Sequence, residues 1–176
     1  MKINLIASFL LLLSFLSQEK PLSEVVHITP PKKSESMDWV EHYKYMLKNY
    51  RSSPAMDGTT KCFNKNGIII TFWDNILWDD YLKKQVKNLS EMKASKLETL
   101  EELGMSNDID KAEIIKVNDI GFFISCTHVA GDEYRYNFDS EYRNYKSISG
   151  RVVCKKQDRK KAEKIFNDLL KSIKFK

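Results

Sequence analysis

The chain has little of what most enzyme sites are built from. It holds six glycines, three histidines and three cysteines in 176 residues. There is no phosphate-cradling glycine loop and no Gly-x-Ser-x-Gly elbow for a nucleophilic serine. His27, His42 and His128 stand far apart, with none of the paired spacing that zinc sites show. Asp108-Ile109-Asp110 followed by Glu113 supplies oxygen ligands but lacks a glycine-centred calcium loop. After the first sixteen residues no apolar run approaches the roughly 20 needed to span a bilayer. These absences argue for a protein that is not an enzyme and needs no metal or cofactor.

What is present begins with an address. Residues 1–18 read as a signal peptide, with Lys2 ahead of an apolar run from Leu5 to Leu16 and polar residues from Ser17 onward. The cleavage positions are poor: cutting after Ser17 places Phe15 third from last, and cutting after Ser14 places Leu12 there. A cleaved signal and an uncleaved membrane tether both stay open. The first cysteine is Cys62, so no lipid-bearing cysteine follows the run. The sequence thus predicts an exported protein, periplasmic or secreted. Residues 19–35, broken by Pro30-Pro31, read as a flexible tether, and residues 36–176 as a single domain.

Within that domain the periodicity changes several times. Ser36 is the expected cap of a helix over 37–50, where Trp39, Tyr43, Leu47 and Tyr50 recur at helical spacing. Two strands, 59–63 and 68–73, flank Asn66-Gly67, a dipeptide suited to tight hairpin turns. Ile68 to Phe72 is apolar on both faces, which predicts a strand covered on both sides. Residues 75–103 read as a long helix that bends or divides near Asn88 and ends at Gly104. Strands follow at 112–117, 121–129, 133–139 and 145–155, then a helix over 157–173. In the third of these, Tyr134, Tyr136 and Phe138 share one face, and Arg135, Asn137 and Asp139 the other. The expected fold is α+β: one antiparallel sheet of about six strands flanked by helices.

The layout from Lys61 to Phe175 resembles the Mog1/PsbP-like group of small α+β domains. The likeness lies in a first hairpin ending in Ile70-Thr71-Phe72-Trp73, a long helix, a strand meander, and a final helix running into Leu170-Lys171-Ser172-Ile173-Lys174-Phe175. In that group the exported members are generally non-enzymatic and bind other proteins, so the resemblance implies the same here. No functional residue carries over, because no motif position matches.

Export permits disulfides. Cys126 and Cys154 fall on the second and fourth meander strands, about 9–10 Å apart if the third strand separates them. A bridge needs Cα atoms within about 7 Å, so Cys62 is the candidate partner of Cys126 or Cys154. The alternative is three small buried side chains. Cys126-Thr127-His128 is the nearest approach to a nucleophile and base, but side chains two apart on a strand project in parallel rather than converge.

Charge is segregated. Formal net charge is +5, yet residues 151–176 alone carry a net +7. Lys155, Lys156, Arg159, Lys160, Lys161 and Lys164 crowd a helix N-terminus, where the dipole disfavours cations. They form a candidate surface for an acidic protein or an anionic membrane; an exported protein seldom meets nucleic acid. The expected function is protein binding outside the cytoplasm, most concretely by an inhibitor or immunity-type protein that occludes a toxin or hydrolase. The rival is a periplasmic carrier of a lipid or small apolar ligand. The sequence does not disclose the oligomeric state.

Overall fold

The computed structural model describes residues 26–51, 60–77, 79–105, 108–129 and 131–176. The signal segment and residues 19–25 of the expected tether lie outside the described residues. Strand β1 (Val26–His27) is followed by β2 (Glu35–Met37), α1 (Trp39–Asn49), and the hairpin β3 (Lys61–Lys65) and β4 (Ile68–Ile76). Asn66 and Gly67 turn that hairpin with φ of 52° and 86°, the left-handed region that Asn-Gly tolerates. Short helix α2 (Asp80–Lys83) and α3 (Leu89–Glu102) precede the meander β5 (Ile109–Val117), β6 (Ile120–Val129), β7 (Glu133–Ser140) and β8 (Lys146–Lys155). Helix α4 (Arg159–Ser172) and β9 (Lys174–Phe175) close the chain.

Seven strands make one antiparallel sheet, ordered β2-β3-β4-β8-β7-β6-β5, and β1 pairs separately with β9. The fold is therefore α+β, with the sheet one strand wider than expected because β2 adds to the β3 edge. One sheet face holds the main core. Helix α4 turns Ala162, Ile165, Phe166, Leu169 and Leu170 onto it, over Ile70, Phe122, Phe138 and Val152. Fully burying an aliphatic or aromatic side chain of this size is worth about 1.5–3 kcal/mol, so this face dominates the stability. On the other face Met46 and Tyr50 of α1 pack over Ile69 and Val153. The doubly apolar Ile68–Phe72 run is thus covered on both sides, as its composition predicts.

Four expectations need correction. The helix start is capped by Asp38, not Ser36: the Asp38 carboxylate accepts from Glu41 N at 2.8 Å, and Glu41 accepts from Asp38 N at 3.0 Å. The stretch expected as tether includes structured residues. Val26 is buried and paired with Phe175, and Pro30-Pro31 separates two short strands rather than marking unpaired chain.

The helix over 75–103 divides near Asn88, as the sequence predicts, but it does not begin at Asn75. Its first residues continue β4, where Asn75 and Ile76 pair with Ser147 and Lys146, so ladder bonds to β8 override the helical spacing. Helix α3 starts only after Asn88, whose side chain accepts from Ser90 N and Glu91 N while Glu91 accepts from Asn88 N.

Cys62 bonds to neither expected partner, and all three cysteines are free and buried. The reason is parity. Cys62 pairs with Thr71, which pairs with Arg151, and these three share one sheet face. Cys126 and Cys154 lie on the opposite face, in the main core, with β7 between their strands. Burial pushes the thiols up to about 11 for Cys62 and Cys126 and about 12 for Cys154, away from thiolate chemistry.

Candidate functional site

A sheet face roofed by a helix is ordinarily apolar, because the roof removes it from water. The face opposite the main core departs from this. Its middle rows run Thr71–Arg151–Asn137–Ser125 and Trp73–Ser149–Asp139–Phe123 across β4, β8, β7 and β6. Alternation along each strand places these residues: the same register that sends Phe138, Gly150 and Val152 into the core sends Asn137, Ser149 and Arg151 outward. Helix α3 crosses the β5–β6 side of this face but buries only Leu100. Helix α1 holds the Ile69–Val153 side. Between α3 and the sheet lies a cleft of about 370 Å³.

The cleft floor is a hydrogen-bonded polar network. Arg151 Nε donates to Asn137 Oδ1 at 3.0 Å, and Asn137 Nδ2 donates to Ser125 Oγ at 3.4 Å. Asn75 Nδ2 donates to Ser149 Oγ at 2.8 Å, and Ser149 Oγ donates to Asp139 Oδ1 at 2.6 Å. Burial lowers the Arg151 guanidinium to about 10, and the charge of Arg135 adds to the effect. Burial also raises the Asp139 carboxyl, opposed by the Ser149 hydrogen bond and by Lys96 and Arg151. Both groups are therefore held in surroundings that disfavour their charges, a condition common at binding and catalytic sites. Lys87 and Lys96 stand at the mouth, Lys87 donating to Ser95 Oγ of α3 at 3.2 Å.

None of these residues carries a recognisable motif, so motif reasoning missed the cleft. Two signals pointed at it. The polar faces of β7 (Arg135, Asn137, Asp139) and β8 (Ser147, Ser149, Arg151) are adjacent in the meander, and α3 lacks an apolar stripe wide enough for a full roof.

The residues singled out from sequence behave differently. Of the six basic positions, Arg159 pairs with Asp110 at 2.8 Å and stacks over Tyr134, Lys155 pairs with Asp132 at 3.1 Å, and Lys161 pairs with Asp158 at 3.0 Å. That half of the surface is neutralised within the chain. Lys156, Lys160 and Lys164 are exposed and form no ion pair with any described residue. Among the described residues no cluster of His, Cys, Asp or Glu is arranged to hold a metal; Asp110 is paired with Arg159 and Glu113 with Lys111. His128 stacks on Tyr134 at 4.9 Å and lies 3.2 Å from the Gly131 carbonyl, while the neighbouring Cys126 thiol is raised by burial, the opposite of what a nucleophile needs. No described helix is long and apolar enough to cross a membrane.

His42, which its spacing places on the helix, is buried against the sheet with neither ring nitrogen hydrogen-bonded. Burial, and then the Arg151 charge, lower its pKa from 6.5. The unfolded chain therefore takes up the proton first, and stability is lost as pH falls from the ordinary value toward the lowered one. Asp139 acts in the other sense, because acidification through its raised pKa relieves a buried charge. His42→Leu should abolish the loss of thermal stability on moving from pH 7.5 to about pH 5.5, and raise stability at pH 7.5 by about 1 kcal/mol by removing two unpaired nitrogens. An unchanged acid slope in the variant would show that His42 is not the titrating group.

The arrangement defines a PsbP-like α+β domain. The solution structure of cyanobacterial PsbP (CyanoP) from Synechocystis sp. PCC 6803 matches 88% of this chain over 89% of its own, with a TM-score of 0.53 and 10% sequence identity. At that identity the likeness concerns the fold. No protein-family model and no curated protein matches the sequence.

Proposed function

We propose that the protein is an exported, non-catalytic protein-binding domain of the inhibitor or immunity type, which neutralises a toxin or hydrolase by docking on an acidic surface. The observation that carries this reading is the lysine stripe. Lys160 and Lys164 lie one turn apart on α4, and Lys156 lies in the 3-10 turn that leads into it. Lys160 and Lys164 are separated by about 6 Å of helix rise, and all three lysines are free of internal partners among the described residues, whereas Lys155, Arg159 and Lys161 are neutralised. Cations at a helix N-terminus oppose the dipole, so a stripe kept there without counter-charges is suited to meet them on a partner. The alternative of a carrier for a lipid or small apolar ligand has weaker support. The apolar hollow between Ile28, Pro30, Phe63 and Phe72 measures about 200 Å³, below the roughly 300–1,000 Å³ of ordinary ligand sites.

The test is affinity capture from a periplasmic extract at low salt, with the parent and a Lys156→Glu/Lys160→Glu/Lys164→Glu variant in parallel. One stoichiometric protein should be retained by the parent, released by moderate salt, and bound at least about tenfold more weakly by the variant. Equal retention by both proteins excludes the stripe as the docking surface. Retention of anionic lipid vesicles in place of a protein assigns the stripe to a membrane and overturns the reading.

A further inference from the structure

We infer that the cleft between α3 and the sheet is a binding site for a small hydroxylated organic anion, a sugar acid or sugar phosphate of one or two rings. This rests on a different face from the lysine stripe and stands or falls separately. The size fits, since about 370 Å³ lies within the range of small-molecule sites.

Charge sets the sign. Arg151, Lys87 and Lys96 line the cleft against a single carboxylate, Asp139. The Arg151 guanidinium is mostly withdrawn from water on the floor, where a planar donor fork suits a carboxylate or phosphate. The two lysines are exposed at the mouth, where they draw an anion inward without a large desolvation penalty.

Hydroxyl recognition follows from the rest of the lining. Asn137 and Asp139 offer a paired amide and carboxylate, and Ser95 and Thr99 bring hydroxyls from α3. Such a mixture of donors and acceptors matches a ligand that both gives and takes hydrogen bonds at several positions. Trp73, half-buried at one wall, supplies a flat apolar surface for the carbon face of a sugar ring.

The energetic argument is the strongest. Leaving a polar sheet face under a helix forfeits apolar burial that this position would otherwise supply. Helix α3 accordingly sits with one buried side chain, while α4 on the opposite face buries five. A roof held that loosely can adjust around an occupant, and the network beneath it is preformed by its own hydrogen bonds.

Isothermal titration of the full chain tests the assignment with four probes: D-glucuronate, glucose 6-phosphate, glucose and inorganic phosphate. Binding of glucuronate or glucose 6-phosphate at submillimolar concentration, with glucose at least about tenfold weaker, is the expected result, and the stronger acid identifies the anionic group. Lys87→Glu/Lys96→Glu, which changes only exposed side chains, should weaken that binding at least about tenfold with unchanged circular dichroism and melting temperature. Absence of binding by both acids at millimolar concentration overturns the inference. So does glucose binding as tightly as the acids, inorganic phosphate binding as tightly as glucose 6-phosphate, or full retention of affinity in the double variant.

Discussion

Gly150→Ala is expected to destabilise the fold by about 2–3 kcal/mol, the upper end of what one added methyl group does in a packed interior. Gly150 lies on β8 between Phe72 on β4 and Phe138 on β7. A Cβ there would fall 2.5 Å from Phe138 Cζ and 2.8 Å from the Thr71 carbonyl oxygen. Neither neighbour can withdraw. Thr71 O belongs to the backbone of an interior strand, and the buried Phe138 ring is held edge-on by Phe122 at 6.1 Å and Phe166 at 6.0 Å. Gly121 provides the contrast. Its Cβ would meet Leu89 Cδ1 at 2.7 Å and Glu141 Oε2 at 2.9 Å, both ends of side chains that can rotate. Gly121→Ala should therefore lose less than about 1 kcal/mol. Urea denaturation of the two variants checks the pair, and equal losses would contradict the assignment of Phe138 as the obstacle.

Phe166→Ala is expected to remove about 3–5 kcal/mol, enough to exhaust much of the stability of a domain this size. Phe166 is the central side chain that α4 lays on the sheet, with its ring 5.5 Å from Tyr136 and 6.0 Å from Phe138. Truncation leaves a hole bordered by side chains from several elements, which cannot all collapse into it. The two substitutions should also couple. Phe166→Ala opens space beside the Phe138 ring, so that ring can tilt and make room for the added methyl. The double variant should then be less destabilised than the sum of the single losses by at least about 0.5 kcal/mol. Strict additivity would mean that Phe138 does not transmit the strain.

Much of the fold was legible because it rests on local patterns. Asn66-Gly67 specifies a hairpin by its backbone conformation, and the helical spacing of Ala162, Ile165, Phe166 and Leu169 selects the buried side of α4. The meander order, with β7 between β6 and β8, follows from short turns. Residues 75–103 were read less well. Their helical period is real in α3, but Asn75 and Ile76 had an open strand edge to pair with, and Asn88 with Glu91 made a better helix start than continuation through Val86 and Lys87. Val26 is not legible as strand from its neighbours, because its partner, Phe175, lies near the other end of the sequence.

The candidate sites divide along the same line. The basic cluster was visible as composition, yet its partition into three neutralised and three unpaired cations depends on Asp110 and Asp132 reaching it through the fold, with Asp158 pairing locally to Lys161. The cleft had no motif. Alternation in β7 showed that Asn137 and Asp139 share a face, which is a property of one strand.

The sequence by itself determined most of the elements and the face on which their residues stand, because both depend on backbone periodicity over a few residues. Only the tertiary structure decided which faces meet. Strand pairing set Cys62 on the same face as Arg151 and away from Cys126 and Cys154, and brought Arg151, Asn137 and Asp139 together beneath α3. Those relations join residues that are distant along the chain, and cross-strand register, not local propensity, fixes them.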